Sequence, residues 1–175
     1  RGDSGELETE IAEDGTANPW AYEMQTLGFN YRASDIHCAL GLSQLRKLDS
    51  FVAIRRRLMK RYEELLAPLA PMVRLTDRTK GCEAAWHLNV VLIDFAAVGI
   101  CRKDLMNGLR ARGIGTQGHY IPVHRQPYYE GRYGLTDLPG STQYYERCLS
   151  LPLSAGMSGS DVERVIAALK AELKL

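Results

Sequence analysis

The sequence predicts an α/β fold in which a small sheet is covered by helices. Apolar residues recur at steps of three and four in several segments, the signature of helices with one buried face. Short runs centred on β-branched residues lie between them and read as strands. These strands are too few for a doubly wound nucleotide fold, and no P-loop run occurs. Hydrophobic residues make up 45% of the chain and charged residues 25%, the balance of a sequence that packs a core.

Residues 1–19 are rich in Gly, Asp, Glu and Thr without an apolar period, and read as a mobile lead-in to a domain over 20–175. A helix is expected from Ser34, a good N-cap, with Asp35 at the positive end of its dipole. Ile36, Ala39 and Leu40 are expected on one face, followed by Leu42 and Leu45, with a break near Asp49 and Ser50. A longer helix follows, with Phe51, Ile54, Leu58, Tyr62, Leu65 and Leu69 as its stripe and Pro68 and Pro71 ending it. Its run RRRLMKR at 55–61 reads as a solvated helix face rather than a nucleic-acid patch.

Residues 86–94, WHLNVVLID, read as a buried strand, and 102–112 as a helix with Leu105, Met106 and Leu109 inward. Gly113 is a natural C′ residue for that helix. GIGTQGHYIPVHRQPYY is expected to be a strand running into a loop, followed by a helix over 141–149 and a short extended LPL at 151–153. Ser160 and Glu163 have capping-box spacing before a last helix with Val162, Val165, Ile166, Leu169 and Leu173 inward.

The formal net charge of +1 gives no global attraction to nucleic acid or an anionic membrane, so neither is expected as a partner. No apolar run approaches the roughly 18–20 residues that span a bilayer. The N-terminal RGDSGELETEIAEDG is unlike a signal peptide. Cys38, Cys82, Cys101 and Cys148 form no CxxC pair and read as free, mostly buried thiols of a cytoplasmic protein.

Two stretches could carry chemistry. Gln117, Gly118, His119, Tyr120 and His124, with Tyr128 and Tyr129 beyond, could grip a sugar or nucleotide by stacking and hydrogen bonds. The alternative is an irregular loop whose polar groups satisfy local backbone. Asn30, Tyr31 and Arg32 precede a helix start and could hold an anion such as phosphate. On local chemistry alone, ordinary neighbours of a helix cap explain them better. His87, His119 and His124 with the cysteines do not make a convincing zinc set, and no metal is expected.

The run GFNYRASDIHCALGLSQLRKLD resembles the DegT/StrS-type sugar aminotransferases, pyridoxal-phosphate (PLP) enzymes of the aspartate-aminotransferase fold (fold type I). The resemblance continues through RRRLMKRYEELL, AWHLNVVLID and RARGIGTQGHYIPVHRQPYY to YYERCLSLPLSAGMSGSDVERVIAAL, about residues 17–172. WAYEMQTLGFNYR and HYIPVHRQPYY look like the branch that makes UDP-4-amino-4,6-dideoxy-N-acetylhexosamines, as in pseudaminic-acid synthesis.

The resemblance implies the C-terminal small domain of such an enzyme. A lysine elsewhere would form the Schiff base with PLP, and none of Lys47, Lys60, Lys80, Lys103, Lys170 and Lys174 stands in the family's lysine setting. The segment alone is therefore expected to be inactive, with no catalytic residue of its own. Asn30 would reach across a homodimer interface to the cofactor phosphate or the substrate of the other subunit, Arg32 would support the same shared, cofactor-binding site, and Tyr31 would line it. Gln117, Gly118, His119, Tyr120 and His124 would contact the nucleotide-sugar, and glutamate is the expected amino donor. A same-family dehydratase, with His for the lysine, and a non-enzymatic sensor or dimerisation homologue are the rival readings. Trp20, Leu27 and Phe29 are expected to be exposed, with association, swapping or disorder near residues 1–30.

Overall fold

A computed structural model describes Gly15 and residues 26–175; the expected lead-in over 1–19 apart from Gly15, and Trp20 with the start of the expected domain, lie outside the described residues. The chain divides into two compact units, Arg1–Ser43 and Gln44–Leu175.

In the first unit, residues 27–34 carry no regular structure and lead into α1 (Asp35–Leu45). Ser34 caps it as expected: its Oγ accepts from the His37 backbone N–H at 3.4 Å and lies 2.8 Å from His37 Nδ1. No residue of α1 is buried. Leu27 and Phe29 are exposed, as expected.

The second unit takes in the last two residues of α1 and then α2 (Leu48–Leu66). The helix break falls at Arg46 and Lys47, not at Asp49 and Ser50. Asp49 instead sits in the first turn of α2, where the helix dipole favours a carboxylate. Leu58, Met59, Tyr62 and Leu66 are buried. Pro68 converts the end into a 3-10 turn over Ala67–Leu69, so Leu69 reaches the core from outside the α-helix.

Among the described residues the sheet has three antiparallel strands in the order β1–β2–β3. They are β1 (Val73–Leu75), β2 (Asn89–Ile93) and β3 (Cys148–Leu151). Val73 pairs with Ile93, and Asn89 with Leu151. β1 has too few residues to show an alternating pattern in the sequence. β2 is the expected strand, shortened at both ends. β3 starts where a helix end was expected and stops short of Pro152, which has no N–H for a ladder.

Between β2 and β3 lie α3 (Phe95–Val98), α4 (Arg102–Ala111), α5 (Pro127–Tyr133) and α6 (Pro139–Arg147). α4 ends as its sequence dictates, with Gly113 in the left-handed region at φ 74°. α5 replaces the expected loop, because Pro127 begins a helix as readily as it ends one. The last helix, α7 (Gly159–Leu173), has a capping box of Ser158 and Asp161, two residues before the expected pair. Ser158 N–H donates to Asp161 Oδ2 at 2.8 Å, while Glu163 accepts from Arg61 at 2.5 Å.

α7 packs on α2 and on α4, and the inner faces of the three helices form one core with the sheet. The basic run on α2 is a helix face with ion pairs, Arg56–Glu83 at 3.2 Å and Arg61–Glu64 at 3.1 Å. Cys148 alone among the four cysteines is buried; Cys38, Cys82 and Cys101 are exposed, against the expectation of mostly buried thiols. None of the three falls at an inward position of a packed element.

Candidate functional site

The stretch after α4 is held by the core on one side and β3 on the other. Gly113 turns the chain, Ile114 is buried, and Gln117 forms a single bridge to Ser150. Gln117 N–H donates to Ser150 O at 3.2 Å, and Ser150 N–H donates to Gln117 O at 2.8 Å. This bridge is all that forms of the expected strand. The run GIGTQG has G-x-G-x-x-G spacing, but it leaves a helix and enters a bridge. A dinucleotide turn needs the opposite order, strand then helix.

His119 turns toward the sheet, with Nδ1 2.6 Å from Ser150 Oγ, and its ring meets the Tyr120 ring edge-on at 4.6 Å. Tyr120 is 67% exposed. Gly118 has ordinary space around it: an added Cβ would meet nothing closer than Arg102 Nη1 at 3.7 Å. The protein itself therefore does not require glycine there.

Gly118 and Tyr120 edge a groove of about 850 Å³ between α4 and α6. Arg102 crosses it, 4.8 Å over the Tyr145 ring and 5.7 Å from Phe95, and donates to the Tyr145 carbonyl. Lys103, Arg110 and Asn107 add polar groups to an apolar lining. His124 lies elsewhere, in a hollow of about 530 Å³ with Tyr129 and Tyr133. Of the expected sugar-binding residues, the structure thus brings Gly118 and Tyr120 to one groove and His119 against β3. Gln117 is engaged through its backbone, and His124 is set apart.

In the first unit, Asn30, Tyr31 and Arg32 are all exposed just before α1. The Tyr31 ring stacks on Phe29 at 5.4 Å. An amide, a guanidinium and a helix N-terminus together offer several N–H donors, the chemistry that suits a phosphate. Among the described residues, no group of three His, Cys, Asp or Glu side chains is placed to hold a metal ion.

Residues 8–170 match the profile of the DegT/DnrJ/EryC1/StrS aminotransferase family. The chain belongs to this family. It is 36% identical over 154 residues to the spore coat polysaccharide biosynthesis protein SpsC of Bacillus subtilis, covering 86% of the chain and 39% of SpsC. The aminotransferase TlmJ from Streptoalloteichus hindustanus superposes with a TM-score of 0.75 at 31% identity, over 89% of this chain and 40% of TlmJ. Helicobacter pylori PseC, an aminotransferase of pseudoaminic acid biosynthesis, shares the fold with a TM-score of 0.80 at 22% identity, over 95% of this chain and 44% of PseC. The chain thus spans about two-fifths of the length of the relatives it matches. The expected fold class stands: this is the α/β small-domain architecture of the fold type I aminotransferases.

Within this family member, the sequence reading passed over Arg102, Tyr145 and Ser150. Arg102 gives no local signal, because its stacking on Tyr145 joins positions 43 apart in sequence. Ser150 did leave a signal: it is the one polar residue in the run CLSL, all of which is buried. A buried hydroxyl needs a partner, and that partner is His119.

Proposed function

We propose that the full-length protein containing this chain is a PLP-dependent transaminase. It moves an amino group, from glutamate, to the 4-keto carbon of a UDP-linked 4-keto-6-deoxy-hexosamine that supplies surface-polysaccharide or nonulosonate synthesis. The family match over residues 8–170 carries this reading. The likeness to SpsC supports polysaccharide sugar synthesis.

The donor set of Asn30, Arg32 and the start of α1 fits the phosphate end of PLP, so these groups would hold the cofactor in a site shared between two subunits, with Tyr31 beside it. When bound, PLP supplies the electron sink that transamination needs. The lysine that carries it is not among the lysines of these residues, so this chain contributes binding and orientation. Tyr120 and Gly118 form one edge of the sugar-nucleotide site, with Gln117 and His119 behind them. His124 would contact a more distant part of the same substrate. The protein works in the cytoplasm; among the described residues, no helix is long and apolar enough to cross a membrane.

The test is a two-stage assay on the full-length gene product. With PLP bound, glutamate is expected to shift the cofactor absorbance. The UDP-linked keto sugar should then restore it and yield the 4-amino product by mass spectrometry. Absence of any shift with a panel of amino donors overturns the reading. The 175-residue chain alone is expected to show neither stage.

A further inference from the structure

β3 presents two kinds of side chain. Leu149 and Leu151 belong to the hydrophobic core. Cys148 and Ser150 alternate with them and so point to the opposite face of the sheet. Both reach the same residue: Cys148 Sγ donates to His119 O at 3.5 Å, and Ser150 Oγ lies 2.6 Å from His119 Nδ1. With the Gln117–Ser150 backbone pair, these contacts fasten the start of the loop to the sheet.

The Ser150–His119 contact has a direction. Ser150 is 7% exposed, and among the described residues its hydroxyl has no other hydrogen-bond partner. If Nδ1 carried the proton and donated it, the serine hydrogen would be buried with no acceptor. If the hydroxyl donates, every buried polar group at the contact is satisfied. The neutral ring then carries its proton on Nε2, which makes no hydrogen bond among the described residues.

We propose that Ser150 is a positioning residue that donates to His119 Nδ1, fixes the Nε2–H tautomer, and so presents a hydrogen-bond donor to an oxygen of the bound nucleotide-sugar. The hold of Ser150 on the ring stands on geometry alone. The substrate contact rests on the reading of His119 given above.

The chain labelled with 15N-histidine tests the first part by two-bond proton–nitrogen correlations, with His119→Gln assigning the signals. At about pH 8.5, some two units above the usual imidazole pKa of roughly 6.5, neutral rings dominate. The expected pattern for His119 is a protonated Nε2 and a bare Nδ1. Ser150→Ala should mix the tautomers, and Ser150→Thr, which keeps a hydroxyl, should restore the single form. A proton on Nδ1 in the wild type overturns the proposal, and that measurement needs no variant to fold. An unchanged pattern in Ser150→Ala overturns it too. For the second part, Ser150→Ala in the full-length gene product should raise KM for the UDP-keto sugar about three- to tenfold, the worth of one hydrogen bond. It should raise KM by more than it lowers kcat, with Ser150→Thr nearer wild type. An unchanged KM beside a lost tautomer would remove His119 from the substrate site and leave its anchoring by Ser150 intact.

Discussion

Helix α7 buries Val162, Val165, Ile166, Ala168, Leu169 and Leu173, whereas α1 buries none of its residues although it carries Ile36, Leu40, Leu42 and Leu45. The two sequences look alike in apolar content but not in arrangement. At about 100° per residue, the large apolar residues of α7 fall within a single stripe. In α1, Ile36 and Leu40 lie about 40° apart, but Leu45 lies about 180° from Ile36. The expectation of one apolar face for α1 therefore reaches only as far as Leu40. A helix that is apolar on opposed sides has a different role from one with a single stripe, whose partners here are α2 and α4.

The largest expected effect comes from the buried stripe. Leu169→Ala removes a fully buried side chain and should cost about 2–5 kcal/mol in urea unfolding, the usual range for a core Leu truncation. A loss below about 1 kcal/mol would mean that α7 is not packed as described.

Tyr62 on α2 gives the next effect, and a pH signature. It is fully buried and donates to Pro152 O at 2.8 Å. Burial pushes its phenol well above the ordinary tyrosine range, partly opposed by Asn89. The folded state therefore favours the protonated phenol. Its contribution is complete below the unfolded value near 10 and is lost as pH rises beyond it. Tyr62→Phe should cost about 0.5–1.5 kcal/mol at neutral pH and weaken the loss of stability above about pH 10. Parallel alkaline curves for wild type and variant would show that Tyr62 is not the buried group that titrates.

The α7 cap separates two readings of one sequence. Ser158→Ala should cost about 1 kcal/mol, because Ser158 accepts from the Asp161 backbone N–H and completes the capping box. Ser160→Ala should cost much less, since among the described residues its hydroxyl meets only Ser158 Oγ at 2.8 Å. Equal losses would restore the later cap. The same box holds the Asp161 carboxyl below its usual pKa through the Ser158 backbone and hydroxyl. That contribution is present above the unfolded aspartate value near 3.9 and fades as pH falls through the folded one. The Ser158→Ala deficit should therefore shrink in acid.

These residues also show what could be read without a structure. The inward faces of α4 and α7 were legible because period and burial coincide there; on α2 the expected stripe caught Leu58 and Tyr62, whereas Met59 and Leu66 are buried from outside it and Phe51, Ile54 and Leu65 are only half-buried. The capping box slipped by two residues because S-x-x-E and S-x-x-D both occur in SGSDVE, and local sequence does not choose between them. β1 was illegible, and at Gln117 an extended stretch could be expected but not its reduction to one bridge, because each depends on a partner strand distant in sequence. At the candidate site, residue types pointed to the 117–124 stretch. The division of its members between two hollows and β3 came only from the packing of α4, α5 and α6.

The smallest expected effect closes the comparison with α1. Leu40 is 57% exposed and Ile36 74% exposed. Alanine is the better helix former at an exposed site, and neither truncation opens a cavity. Leu40→Ala in the 175-residue chain should therefore change unfolding stability by less than about 0.5 kcal/mol, against several for Leu169→Ala. The substitution removes apolar surface without removing a packing contact of the folded core. A Leu40→Ala loss comparable to that of Leu169→Ala would mean that α1 is covered when the chain is in solution, and the contrast between the two helices would fall.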